Sequence, residues 1–178
     1  RIGHFDGVCT VVYRLLNLIK PKNLYLGEKD WQQLLILKNL VLTEKLNVGI
    51  QSIPTQRDFD GIPLSSRNIH LSKSERKLIR FFSNALLEAQ KNFQQEKIFN
   101  LKEIIKKLSA EKISIEYLEH LHPHTLQQSR IEDNISILAG AIKCGETRLI
   151  DHVFLMKRKP IIAIDGPAGS GKSTVTKL

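Results

Sequence analysis

The stretch that decides the fold is residues 23–53, NLYLGEKDWQQLLILKNLVLTEKLNVGIQSI. Asn23 to Leu26 reads as a short strand running into Gly27. A helix follows from about Asp30, with Trp31, Leu34, Leu35 and Leu42 among its apolar positions, and Val48 to Ile53 reads as a second strand. Strand, helix and strand in this order form a β-α-β unit with parallel strands. Ligands of such units gather at the carboxyl ends of the strands, so chemistry is expected in the turn 27–33 and the loop 54–68, both rich in polar residues.

Upstream, Val8, Val11, Val12, Leu15, Leu16 and Ile19 recur at helical spacing, and Pro21 ends that helix. Downstream from Leu71 the pattern changes to helices with charged outer faces. Ser72 with Glu75, and Asn100 with Glu103, have the spacing of helix caps, and Ile79, Phe82, Leu86, Ala89 and Phe93 form an apolar stripe. Residues 113–121, 135–143 and 148–154 read as strands. Together they predict a small α+β domain over 61–156, following a β-α-β part over 1–60. The run Lys157-Arg158-Lys159 reads as a linker. Beyond it, 160–165 predicts a buried strand, 166–173 a glycine turn and 174–178 the opening turn of a helix, the start of a further α/β domain over 160–178.

The chain has 178 residues, 42% hydrophobic and 25% charged, the composition of a globular protein. Its longest uncharged apolar run, residues 135–142, stops at Lys143 and falls short of the roughly 18 residues of a membrane span. Two cysteines, Cys9 and Cys144, sit in no metal-ligand spacing, which argues against a disulfide scaffold and a zinc site and fits a cytoplasmic setting. The first residue is Arg1 and no leader pattern follows it, so the chain is expected to be an internal piece of something longer.

The most specific motif is Gly166-Pro167-Ala168-Gly169-Ser170-Gly171-Lys172-Ser173, followed by Thr174. It matches G-x-x-x-x-G-K-[ST] between an expected strand and an expected helix, the context of a P-loop. There the glycines let backbone N–H groups converge on the phosphates of ATP, Lys172 neutralises the outer phosphates and Ser173 ligates Mg2+. Without the rest of its sheet, the segment 160–178 is expected to be frayed and unable to turn over nucleotide.

The turn Gly27-Glu28-Lys29-Asp30, with Gln32-Gln33 after it, carries a cation suited to a polyphosphate and a carboxylate suited to sugar hydroxyls. Gln33 is expected one helical turn beyond Lys29 on the same side. The same run also fits a helix cap with solvated charges. Leu64-Ser65-Ser66-Arg67-Asn68 offers two hydroxyls and a guanidinium to anionic oxygens, and equally fits a cap and turn before the helix at Ser72. His120, His122 and His124 alternate along a predicted strand; with no carboxylate or cysteine suitably spaced, a solvated strand face is favoured over a metal site.

Taken together, residues 1–8 (RIGHFDGV), 26–34 (LGEKDWQQL) and Asp60-Gly61 with Leu64 to Asn68 resemble successive motifs of the pantothenate synthetases, or pantoate–β-alanine ligases. Ile162 to Thr174 resembles the opening of the cytidylate kinases, and this order is that of the fused ligase–kinase enzymes of cyanobacteria. The resemblance implies the last part of a Rossmann-like nucleotidyltransferase domain, a small α+β domain and then the truncated start of a P-loop kinase. It implies a reaction in which ATP and pantoate give pantoyl adenylate, which β-alanine converts to pantothenate, and a second in which CMP or dCMP is phosphorylated. By the same resemblance Gly27 and Asp30, with Glu28 beside them, hold the ribose; Lys29, Ser65, Ser66 and Arg67 hold the phosphates and act in catalysis. Gln33 binds pantoate, and the backbone near Gln56 and Leu64 contacts adenine. The P-loop positions Gly166, Gly169, Ser170, Gly171, Lys172, Ser173 and Thr174 hold the second ATP. Small-molecule partners only are implied, with no nucleic acid and no membrane, and a homodimer stays open.

The sequence departs from the family at Ile2, where proline is usual, at Gln56, where an apolar residue is usual, and at His122-Pro123, where Asp-Pro is usual. The family's paired-histidine motif, a second pantoate-binding glutamine and the magnesium-orienting aspartate are absent from these 178 residues, so the chain by itself is expected to be inactive in both reactions. A different class of reading starts from charge: Lys+Arg 27 against Asp+Glu 18 gives +9, with clusters at Arg76-Lys77-Arg80, Lys106-Lys107 and Lys157-Arg158-Lys159. A nucleic-acid module is disfavoured by an aromatic content of 6% and the lack of a stacking platform. A third reading, a regulatory NTPase built on the P-loop, would make residues before Arg158 unable to fold alone.

Overall fold

The computed structural model describes residues 3–96, 98–130, 133–145, 147–158 and 164–171. Helix α1 (His4–Ile19) starts earlier than its apolar period and stops where Lys20 turns left-handed at φ 50°, its N–H donating to Leu16 O at 2.9 Å. Strand β1 (Asn23–Gly27) runs into a short 3-10 turn (Glu28–Asp30). Helix α2 (Trp31–Thr43) then crosses over to strand β2 (Gly49–Ile53). The two strands pair in parallel, Asn23 beside Gly49 and Gly27 beside Ile53, so both end at the same edge.

This layer buries little. Leu16, Leu34 and Leu37 are its buried apolar side chains, whereas Leu18 is 81% and Leu42 76% exposed. The apolar stripe of α1 is therefore only partly used: Val11, Leu15 and Ile19 face solvent because α2 is the helix it packs on among the described residues.

The second layer is an antiparallel sheet in the order β3 (Ser114–Leu121), β4 (Ile135–Cys144), β5 (Thr147–Met156). Helix α3 (Lys73–Glu96) lies across it and α4 (Leu101–Ala110) follows. The caps expected from spacing form: Ser72 N–H donates to Glu75 Oε2 at 2.8 Å, Glu75 N–H donates to Ser72 Oγ at 3.2 Å, and Asn100 Oδ1 accepts from Glu103 N–H. The stripe Ile79, Phe82, Leu86, Ala89 and Phe93 is buried against Leu118, Leu138, Ile142, Val153 and Leu155 of the sheet.

The tightest point of this core is Gly140 on β4. A Cβ there would stand 2.9 Å from Leu118 Cδ1 and 3.0 Å from Phe82 Cζ, so the helix approaches the sheet only because that atom is missing. Two corrections concern the ends of segments. Strand β3 stops at Leu121, so His122 and His124 lie in the turn after it and not on a strand face. Of the expected strand 160–165, residues 160–163 lie outside the described residues; Ile164 and Asp165 are in no strand, and Ile164 is 38% exposed. A strand needs a neighbour to satisfy its backbone, and none pairs with these two among the described residues. Gly140→Ala is expected to cost about 1–3 kcal/mol by overpacking, read as a lowered urea midpoint with an unchanged slope; an unchanged midpoint would show that the helix can move away.

Candidate active site

Both loops at the carboxyl edge of the parallel pair face the antiparallel sheet. In the first, Gly27 ends β1 with ordinary extended angles, and a Cβ added to it would meet nothing within 4 Å. Among the described residues neither backbone angles nor packing asks for glycine here, so the space beside its Cα is open. The residues Glu28, Lys29 and Asp30 form the 3-10 turn, and the Asp30 side chain makes no capping bond to α2. Because α2 begins only at Trp31, Lys29 is not on the helix, and the expected helical spacing between Lys29 and Gln33 does not apply. Gln33 sits in the first turn of α2, partly buried.

The second loop folds back on itself. Asp58 N–H donates to Ile62 O at 2.8 Å, Leu64 N–H donates to Gln56 O at 2.9 Å, and Arg57 bridges Pro63. The facing backbone groups of Gln56 and Leu64 are thus spent on each other. Ser65 Oγ accepts from Arg67 N–H at 3.3 Å, which caps the 3-10 turn Ser66–His70, while Ser66 and Arg67 are exposed. The cap reading is therefore right for Ser65 within its own turn; the long helix is capped by Ser72.

The two loops meet at Lys29. Its Nζ donates to Leu64 O at 3.3 Å across 35 positions of sequence. Burial pushes the ammonium below the usual lysine value; Asp30 and Asp151 oppose that, and the positive charges of Arg67 and Arg57 add to it. The Arg67 guanidinium makes no hydrogen bond or ion pair among the described residues. Lys29 is thus a partly desolvated cation whose acidic neighbours, Asp30 and Asp151, act on it more strongly than Arg67 and Arg57 do.

Beneath the loops runs β5. Asp151, 1% exposed, takes a bidentate pair from Arg57, with Nη1 to Oδ2 at 2.8 Å and Nη2 to Oδ1 at 2.9 Å. Arg57 also donates to Gly61 O at 2.9 Å and His152 O at 3.2 Å. The Trp31 indole lies edge-on to Phe154 at 4.9 Å and 6.2 Å from the His152 ring, and its N–H donates to Pro123 O at 2.6 Å. A cavity of about 510 Å3 opens beside Trp31, lined by Glu28, His122, His124, Asp133 and Phe154 and not by Lys29 or Arg67. Sequence reasoning missed Arg57, Asp151 and His152; a charged pair 94 positions apart leaves no local signature.

The histidines have structural partners. His120 Nε2 is 2.6 Å from Ser136 Oγ and its ring lies edge-on to Phe99, while His122 Nδ1 accepts from the backbone N–H groups of His124 and Thr125. Among the described residues no three His, Cys, Asp or Glu side chains group to hold a metal ion, both cysteines are free, and no helix is long and apolar enough to cross a membrane. Of the glycine-rich motif 166–173, residues 166–171 are described, with Gly169 and Gly171 at the positive φ that glycine adopts freely; Lys172, Ser173 and Thr174 lie outside the described residues.

A parallel β-α-β edge with its ligand loops, set on an antiparallel sheet with helices, is an α/β fold of the nucleotidyltransferase-like kind. The solved pantothenate synthetase of Thermus thermophilus matches with a TM-score of 0.76 at 35% identity, over 86% of this chain and 56% of that one. A pantoate-beta-alanine ligase of Francisella tularensis, solved with beta-gamma ATP and beta-alanine, matches with a TM-score of 0.66 at 34% identity over 90% of this chain and 53% of that one. The family model described as pantoate-beta-alanine ligase matches residues 1–154. The chain belongs to the pantoate–β-alanine ligase family. Its curated relatives include the bifunctional pantoate ligase/cytidylate kinases of Prochlorococcus marinus strains MIT 9215 and AS9601, 90% and 87% identical over all 178 residues. The chain spans about a third, 35%, of the length of these relatives.

Burial pushes the imidazoles of His152 and His120 below the ordinary histidine value, with Asp151 and Asp133 opposing it only in part. The unfolded chain takes up these protons near pH ~6.5 and the folded one only at lower pH, so stability falls as pH drops below about 6.5. The urea midpoint is expected to be lower at pH 5.5 than at pH 7.5, and the difference should shrink when His152 and His120 are both replaced by Gln. A midpoint unchanged between the two pH values would contradict buried neutral rings.

Proposed function

We propose that the protein carrying this chain activates pantoate with ATP and joins it to β-alanine. A pantoate carboxylate oxygen attacks the α-phosphorus, the bond to the β-phosphate breaks and pyrophosphate leaves. The amine of β-alanine then attacks the acyl carbon and AMP departs. The observation that carries this reading is the bond from Lys29 Nζ to Leu64 O, which joins the turn after β1 to the segment leading into Ser65, Ser66 and Arg67, with open space around a Cβ at Gly27 among the described residues.

In this reading the ribose lies over Gly27 beside Glu28, its hydroxyls donating to Asp30. Lys29, Ser65, Ser66 and Arg67 hold the phosphates, adenine lies against the strap of Gln56 and Leu64, and Gln33 binds pantoate. The cations and hydroxyls stabilise charge that grows on the non-bridging oxygens and the leaving pyrophosphate, where a single fixed donor is worth about 3 kcal/mol. Among the described residues no three His, Cys, Asp or Glu side chains group to hold the Mg2+ expected with the nucleotide. The motif from Gly166 to Thr174, together with the relatives' names, supports a second activity of the same protein, transfer of a phosphoryl group from ATP to CMP or dCMP. The units 1–60, 61–156 and 160–178, with the linker 157–159, are proposed as the domain division.

In the full-length protein, Lys29→Ala is expected to lower pantoate-dependent exchange of pyrophosphate into ATP by at least about 100-fold while leaving CMP phosphorylation intact. Loss of CMP phosphorylation with exchange preserved would refute the assignment.

A further inference from the structure

Two nearly buried charges join the second loop to the sheet, and stability alone gives them little reason to be there. A buried ion pair is roughly matched, and often exceeded, by a well-packed apolar pair of similar volume. A planar fork fixes something an apolar contact does not: both the distance and the rotation between the groups it joins. The Arg57 fork joins three parts of the molecule. It holds its own position at the start of the loop, the Gly61 carbonyl at the loop's far side, and Asp151 with the His152 carbonyl on β5. A second arginine, Arg76 of α3, holds Asp58 and Asp60 at the tip. The loop between 57 and 63 is thus clamped at base and tip, and what emerges from it is Leu64, whose carbonyl receives Lys29, followed by Ser65, Ser66 and Arg67.

The same strand also registers the first loop. Successive residues of a strand point to opposite faces, so Asp151 engages the second loop from one face while His152 and Phe154 pack on Trp31, directly after the Glu28–Asp30 turn, from the other. Three consecutive or alternate positions of β5 therefore set where Lys29 stands relative to Arg67.

We infer that Arg57 and Asp151 are positioning residues of the adenylation site, locking the Ser65–Arg67 segment to β5 so that it and Lys29 address the same triphosphate. This rests on the ligase reading above. Neither residue touches substrate; each acts through the geometry of Lys29 and the second loop.

The test uses the full-length protein with Arg57→Met and Asp151→Leu combined, which removes both charges and leaves neither unpaired. The expected result is a thermal midpoint close to that of the unaltered protein, a kcat for pantoate-dependent pyrophosphate exchange at least tenfold lower, and an unchanged KM for pantoate. The decisive comparison adds Lys29→Ala to each background. If the pair aims the two loops at one another, Lys29→Ala costs about 100-fold in the unaltered protein but less than tenfold in the paired variant, because a misaligned ammonium has little left to lose. Should the paired variant not fold, Arg57→Lys keeps the charge without the fork, and the same fall in kcat and the same loss of coupling to Lys29 are expected. The inference is overturned by an unchanged kcat in a folded variant, or by an equal cost of Lys29→Ala in both backgrounds. If Lys29→Ala costs nothing even in the unaltered protein, the ligase reading fails and takes the inference with it.

Discussion

The bidentate contact between Arg57 and Asp151 is the constraint on which the arrangement of the candidate site depends. The chain consists of a parallel pair with its helices and an antiparallel sheet with its own helices, each with a separate set of buried side chains. The loop after β2 is held by the fully buried Ile62 and Pro63, Ile62 packing in one core with Val153 and Leu155 of β5. Its backbone bonds close it on itself, and the arginine adds a directional tie to the same strand. A carboxylate at 1% exposure tolerates that position because both oxygens are bonded and a backbone N–H, that of His152, reaches Oδ1 at 2.7 Å.

The electrostatics around this tie run against simple pairing. Lys29 feels Asp30 and Asp151 as well as the weaker repulsion of Arg67 and Arg57, while Asp151 is itself committed to Arg57. Partial desolvation of the Lys29 ammonium is the larger effect there, and the two acids offset it only in part.

How much of this the sequence disclosed differs by element. The β-α-β unit was legible because Trp31, Leu34 and Leu35 keep the helical period between two short strands and because Gly27 marks the turn, although Leu42, read on the same face, is exposed. The caps at Ser72 and Asn100 were legible because their partners lie three residues away. The α3 stripe was legible for the same local reason. The Arg57–Asp151 tie was not, since its partners are far apart and each residue alone looks like a surface charge. His122 and His124, unlike His120, were misplaced because β3 stops at Leu121 and Pro123 follows in a turn, so alternation that looked like a strand continues into backbone of another kind. The exposure of Val11 and Leu15 in α1 also escaped, because a period shows that a face is apolar without showing what covers it. Leu18 and Leu42 are exposed in the same layer, so its helices keep apolar surface that the described residues leave uncovered.

Trp31 is the single tryptophan of the chain, and it stands on the seam between the two layers, its indole N–H held by Pro123 and its ring edge-on to Phe154. Indole emission responds to polarity and to nearby imidazole and aromatic groups. The molecule therefore carries its own optical gauge of the gap between the layers: any hinge-like separation of the parallel pair from the antiparallel sheet would wet this one ring and shift its light to the red, with no dye attached and no residue replaced.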